Sequence, residues 1–300
     1  MEKVLIVVNP SSGEEKAEEY VDQLQEVMEE MGNEIIIFKT EKQTKPDNIA
    51  KLIQQKAVDW LISLGGDGTV NMCANAVMES KKDVALGIIP LGTVNNFARM
   101  LGISMVPKQA INQLKEAKIR KVDIGTTGKG YFISSFSVGP LPATVQQVTS
   151  EQKEKLGPLA YLVEGAKALG AEETYNFHLE ADQEKVEKEY GLLLVTLSNT
   201  VLGIESFFPE AAPNDGKLEF FGLTKTSLGQ KVGVMMQVLR GEIDQSDYVD
   251  VTKCNTLSID FDEKAGIRAT VDGDEGPSFP ITIEVLPEGL SVLVPADEEK

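Results

Sequence analysis

The stretch LISLGGDGTVNMCANAVM, residues 61–78, sets a glycine pair, one carboxylate and one hydroxyl between an apolar run and a helix-like segment. Gly65, Gly66 and Gly68 tolerate positive φ and close backbone approach, so amide N–H groups there can face a ligand. The following helix adds its own unpaired N–H groups and the positive end of its dipole, and together these make a cradle for phosphate. Thr69 suits either a helix cap or a donor to a phosphate oxygen. Asp67 is the odd member, because a carboxylate beside phosphate needs a cation or a water to offset repulsion. A tight turn with Asp67 as its cap accounts for the same residues. Two neighbours favour the ligand: NPSSG at 9–13 and PLGTVNN at 90–96 also follow apolar runs. Three such loops on one sheet edge suggest a nucleotide site.

The elements that must position these loops are legible in the apolar pattern. KVLIVV (3–8), EIIIFKT (34–40), VDWLISL (58–64) and VALGIIPL (84–91) read as strands, separated by helical stretches at 14–32, 46–57 and 69–80 and followed by one at 95–102. In the first helix Ala17, Tyr20, Val21, Leu24, Val27, Met28 and Met31 recur at three- and four-residue steps, and Gly32 stands where a stop is expected. Unbroken apolar strands alternating with helices predict a doubly wound parallel sheet covered on both faces. Right-handed crossovers then bring every strand-to-helix loop to one edge. After about residue 123 the texture changes to strand-like segments such as YFISSFSV, YNFHLEA, GLLLVTLSN, KLEFFGLT, TLSIDF, IRATVDGD and ITIEVL, with helical patterns only near 158–170 and 228–240. The expectation is α/β plus all-β: residues 1–123 as an α/β domain and 124–300 as a mostly antiparallel β domain, with the closing residues able to return to the first.

Composition excludes several partners. With 29 Lys+Arg against 47 Asp+Glu the formal charge is −18, which repels a phosphate backbone, so nucleic acid is not expected. A local basic patch remains compatible with that total. Cys73 and Cys254 lack metal-ligand spacing and fit a reducing compartment. MEKVLIVVNP is too short an apolar run for a signal peptide, and the expected location is cytoplasmic.

GGDGTVN, with NPSSG upstream and PLGTVNNFAR downstream, resembles the catalytic domain of the diacylglycerol kinase and sphingosine kinase family, particularly its small soluble bacterial lipid kinases. The likeness continues through KLGPLAYL (155–162), LSN (197–199), PEAAPNDGKLE (209–219) and VDGD (271–274), so it runs nearly end to end. It implies a nucleotide-binding α/β domain followed by an antiparallel β-sandwich, with the active site in the cleft between them. It also implies ATP and Mg²⁺ as cofactors and a lipid substrate met at the inner membrane face. Whether the chain is a homodimer stays open.

The resemblance places ATP on Asn9, Pro10, Ser11, Ser12 and Gly13, on Thr40, on Gly65 and the loop Gly66, Asp67, Gly68, Thr69, Val70, Asn71 and Met72, and on Thr93 and Asn96. Arg99 and Lys155 resemble basic residues directed at the active site; on charge pattern alone both read as solvated. The family's general base is a glutamate in an Asp-Gly-Glu turn, and Asp272, Gly273 and Asp274 match it here. Asp274 is the leading base and Glu275 its neighbouring alternative. A structural Mg²⁺ is implied at the Asp215 side chain with the carbonyls near Ala212 and Lys217, a donor set suited to a hard cation.

The chain departs from the family at Asn96, where aspartate is usual, at Asp274, at Ser135, and in VLGIESFFPE after LSN. These changes motivate a rival, a catalytically impaired nucleotide- or lipid-binding relative. The other rival is a kinase for a soluble substrate such as NAD, since GGDGT occurs there too. His178 reads as a sheet-surface residue, Trp60 as core, and Phe207, Phe208 and Pro209 as either an acyl groove or a loop packed on the sandwich.

Overall fold

A computed structural model describes residues 1–10, 12, 17–139, 174–201, 203–205, 207–261 and 267–296. The chain divides into two compact units: Met1–Ile124, Gly130–Ile133 and the residues from Leu286 onward form the first, and Gly125–Lys129 with Ser134–Val285 the second. The helical pattern at 158–170 lies outside the described residues.

The first unit alternates β1 (Lys3–Val8), α1 (Ala17–Glu30), β2 (Glu34–Lys39), α2 (Pro46–Lys56), β3 (Trp60–Gly65), α3 (Asp67–Ser80), β4 (Ala85–Pro90) and α4 (Asn96–Met100). Then come α5 (Pro107–Gln113), β5 (Lys118–Thr126) and β6 (Tyr131–Phe132). The four leading strands lie in the order β2-β1-β3-β4, all parallel. β1, β3 and β4 are buried almost throughout because helices cover both faces, whereas the edge strand β2 alternates between half-buried and exposed positions. Leu24 and Met28 of α1 and Ile49 and Ile53 of α2 pack fully into this core. The closing part of the chain's last strand, Ile281–Val294, runs parallel to β4 through the Val292–Leu86 pair.

Two elements of this first unit were not legible in the apolar pattern. The first is α5, where PKQAINQ buries only Ala110 and Ile111. The second is β5, which begins at Lys118 with four positions that are not buried, so its opening carries no strand signature.

The second unit contains β7 (Ser135–Val138), β8 (Tyr175–Ala181), β9 (Glu184–Tyr190), β10 (Leu192–Thr196), β11 (Leu218–Leu223), α6 (Leu228–Arg240), β12 (Val249–Cys254), β13 (Thr256–Phe261), β14 (Ala269–Val271), β15 (Asp274–Glu275) and β16, whose opening residues belong here. One sheet runs β12-β11-β10-β7-β14-β15, antiparallel throughout. In the other, β13 pairs antiparallel with β16 on one side and β8 on the other, and β8 pairs with β9. Tyr190 of one sheet meets Phe220 of the other edge-on at 6.0 Å, which makes the pair a sandwich.

Ser227 and Gln230 close a capping box at the start of α6, and Gly241 ends it in the left-handed conformation at φ +71°. Its Val234, Met235 and Val238 pack with Phe207, Phe208, Phe221 and Leu223. Phe207 and Phe208 are therefore core, and the packed-loop alternative holds for them.

Candidate active site

In the first unit, loops at the carboxyl ends of β1, β3 and β4 are bonded directly to one another. Asn9 N–H donates to the Leu64 carbonyl at 3.2 Å, and its side-chain amide donates to Thr69 Oγ1 at 3.3 Å. Leu91 N–H donates to the Gly65 carbonyl at 2.9 Å. At β2's end Thr40, buried, donates its N–H to the Val8 carbonyl at 2.8 Å. These bonds extend the sheet's parallel register one residue into each loop, which holds the loops side by side.

Gly66 and Gly92 meet backbone to backbone. A Cβ on Gly92 would fall 2.7 Å from the Gly66 Cα and 2.7 Å from Asn95 Oδ1, so the β4 loop admits no side chain there, and one on Gly66 would sit tightly at 3.2 Å from the Gly92 Cα. Helix α3 starts at Asp67 with Gly66 as its N-cap and no side-chain cap. Thr69 therefore does not cap it: the helix begins two residues earlier than the apolar pattern suggests, and the Thr69 hydroxyl serves Asn9 instead.

Asp67 braces the neighbouring loop. Its Oδ2 accepts the Asn95 N–H at 2.8 Å. Burial pushes its carboxyl above the ordinary range, while the N–H groups of Asn95, Asn96, Asp67 itself and Phe97 pull in the opposite direction. Those backbone amides at the start of α4 therefore offset only part of the cost of burying the carboxylate.

Asn95, absent from the sequence-based set, completes the brace. It sits buried at φ +52°, accepts the Gly92 N–H at 3.0 Å and donates to the Gly92 carbonyl at 2.7 Å. Asparagine tolerates that conformation, and an NN pair after a glycine turn was the available signal. Arg99 is half-buried with its Nε donating to the Val94 carbonyl at 2.8 Å, so it too holds this loop. Asn75 of α3 clamps Tyr131 in both directions at 2.9 Å.

The remaining positions of the loop set divide by exposure. Thr93 and Gly68 are exposed, Pro10 is exposed, and Ser12, Asn71, Met72 and Asn96 are half-buried. Val70 is buried in the core, and its N–H donates to the Gly66 carbonyl at 3.1 Å. Ser11, Gly13 and Lys155 lie outside the described residues.

In the second unit, β14 and β15 form a hairpin whose two-residue turn, Asp272 and Gly273, has φ of +46° and +96°. Positive φ at both positions is the Asp-Gly hairpin geometry. The Asp272 carboxylate accepts N–H groups from Ser134 at 3.0 Å and Ser135 at 2.7 Å, and its own N–H donates to the Ser135 carbonyl at 2.8 Å. Asp274 emerges exposed two residues later, opposite Val271. Glu275 is paired with Arg268, which leaves Asp274 as the carboxylate not committed to that ion pair. Asp272 was read from the sequence only as part of a turn; its bracing role depends on contacts 137 and 138 residues away.

The turn at 212–217 is closed on itself. Asp215 accepts the Ala212 N–H at 3.3 Å and the Lys217 N–H at 3.0 Å, and its own N–H donates to the Ala212 carbonyl at 3.4 Å. One carboxylate and one carbonyl on a single tight turn are hard oxygen donors of the kind Mg²⁺ takes with water completing its shell. Among the described residues no three His, Cys, Asp or Glu side chains form a metal cluster. His178 is exposed on β8 with Nδ1 3.8 Å from Glu187, as a sheet-surface residue. Cys73 and Cys254 are buried, and burial pushes both thiols up to about 12.

Residues 3–127 match the family described as the diacylglycerol kinase catalytic domain, and residues 134–294 match the YegS C-terminal NAD kinase beta sandwich-like domain. The chain is 31% identical to a diacylglycerol kinase of Bacillus subtilis over 99% of its own length and 98% of that protein's. It is 30% identical to a diacylglycerol kinase of Staphylococcus carnosus over 97% and 95%. A crystal structure of a diacylglycerol kinase from Bacillus anthracis superposes with a TM-score of 0.79 at 25% identity, covering 98% of this chain and 97% of that one. The chain belongs to the diacylglycerol kinase catalytic domain family, whose members are kinases.

Proposed function

We propose that the protein transfers the γ-phosphoryl group of ATP to a hydroxyl of diacylglycerol or a closely related lipid. The observation that carries this reading is the braced pair of loops in which Gly66 and Gly92 touch and Asp67 holds the start of α4. Phosphoryl transfer asks for positioning and charge stabilisation more than for covalent chemistry, and fixed amide N–H groups supply both. Gly66 and Gly68, at the start of α3, present those groups to the phosphates, and Asn9 and Thr69 hold them in place. Thr40, after β2, and Thr93, after β4, stand on either side of the β1 and β3 loops for the remainder of the nucleotide.

Asp274 accepts the proton of the lipid hydroxyl as that oxygen bonds to the γ-phosphorus and the bond to the β,γ-bridging oxygen breaks, releasing ADP, with Asp272 fixing the hairpin that carries the base. Mg²⁺ bound with the nucleotide would supply neutralisation of the triphosphate's charge. Asp215 and the Ala212 carbonyl are the residues that would hold a second, structural Mg²⁺. The test is transfer of label from γ-³²P ATP to a panel of lipids in mixed micelles, with Asp274→Ala alongside. Transfer to a diacylglycerol that the variant lacks supports the reading, and no transfer to any lipid overturns it.

A second reading, an impaired relative that binds nucleotide without turnover, is motivated by Asn96 at the start of α4 and by the shorter carboxylate at 274. ATP-dependent thermal stabilisation with no transfer, unrelieved by Asn96→Asp, favours it.

A further inference from the structure

Helix α6 is apolar on both sides. Its inner face, Val234, Met235 and Val238, belongs to the core described above. Its outer face carries Leu228, 48% exposed, Met236, 39%, and Leu239, 51%, with Val232 half-buried between them. At about 100° per residue these four side chains fall within one narrow stripe along the helix. Gly229 and Gly233 flank the stripe, and a Cβ at either would meet nothing within 4 Å, so no described element leans over this side.

The charge of the helix and the residues just before it is reversed relative to the chain. Residues 220–241 contain no Asp or Glu, although 47 of the 300 residues are acidic, and they contain Lys225, Arg240 and the buried Lys231. Lys225 stands exposed just before the helix and Arg240 exposed at its last position. Glu242, Asp244 and Asp247 follow only beyond Gly241, so the favourable charge is strongest towards the Leu228 end.

We propose that the outer face of α6 docks the protein on an anionic phospholipid bilayer, with Leu228, Val232, Met236 and Leu239 entering the headgroup boundary. Lys225 and Arg240 extend from either end towards lipid phosphates, their stems lying along the apolar surface. Exposed apolar side chains contiguous along one helix mark an interaction surface, and the acid-free run fits a negatively charged partner. A second copy of the chain fits less well. A symmetric contact would set the same cations near one another, and four side chains on about 18 Å of helix fall short of the ~800 Å² per partner of a stable interface. The inference deepens the lipid-kinase reading, which explains why a bilayer must be met, but the surface stands on exposure and charge.

Vesicle flotation with the full chain, without ATP or diglyceride, tests it. The wild type is expected to float with phosphatidylglycerol-rich vesicles more than with phosphatidylcholine vesicles, and M236E/L239E to bind the anionic vesicles at least tenfold more weakly. L228E/L239E provides a second variant, and the melting temperature of each checks its fold. Equal binding by wild type and variants, or no binding by the wild type to either vesicle, overturns the proposal. So does a wild-type dimer that the variants convert to monomer in sedimentation equilibrium, since the stripe then covers a second copy. A short-chain, water-soluble diglyceride separates the two readings: phosphorylation of it without vesicle binding overturns docking alone, and vesicle binding through α6 without phosphorylation overturns the kinase reading alone.

Discussion

The two sets of residues assigned to chemistry are held in opposite ways. The loops after β3 and β4 form a cross-bonded block, half-buried at Gly66 and Asp67 and buried at Asn95, in which Gly66, Asp67, Gly92 and Asn95 each contact the other loop. Asp274 instead projects into solvent from a two-residue strand, and a single carboxylate, Asp272, fixes the turn beneath it. Under the proposed roles, binding phosphate calls for several donors in fixed positions, which the cross-bonding supplies, and accepting one proton calls for reach, which exposure supplies.

Substitutions on either side should separate binding from turnover. The largest effect is expected for Asp274→Ala, a fall of about 10²–10⁴ in kcat with ATP affinity and melting temperature unchanged, as measured by steady-state kinetics and thermal melts. Next is Gly92→Ala, whose added methyl has no space against Gly66 and Asn95. It should destabilise the fold by about 1–3 kcal/mol in denaturant titration and weaken ATP binding together with it. Asp272→Ala removes the acceptor for two N–H groups and should destabilise by about 1–3 kcal/mol. It should lower kcat while leaving ATP affinity intact, a split that a general loss of folding would not produce.

The smallest effect concerns Asp67. Because burial raises its folded-state pKa, the native protein binds more protons than the unfolded chain between the unfolded and folded values, so this group's contribution to stability falls as pH rises through that window. Asp67→Asn keeps an acceptor for the Asn95 N–H and should remove that fall, which urea titrations from about pH 4 upward can measure. A variant whose stability keeps the wild-type pH slope would show that the brace carries no titrating charge.

What the sequence disclosed, and what it withheld, follows from the range of the interactions. β1, β3 and β4 announce themselves because strands buried on both faces must be apolar along their whole length. The loop positions followed from the strand-to-helix order. β9 was missed because EKVEKEY, exposed at six of seven positions, gives an edge strand no apolar signature. Asn95 and Asp272 were missed for a different reason: each is a brace whose partners lie across a turn or well over a hundred residues away, and neither type nor spacing reveals such a partner. Asp67 was found for its charge, but its partner, the backbone of Asn95, becomes visible only in the fold.

Equilibrium titration with ATP and Mg²⁺ tests the central claim most directly, namely that the bonded loops are the nucleotide site. The account predicts saturable one-site binding by the wild type, unchanged in Asp274→Ala and weakened at least tenfold in folded Gly92→Ala. Absence of binding, or binding that Gly92→Ala leaves untouched, would contradict it.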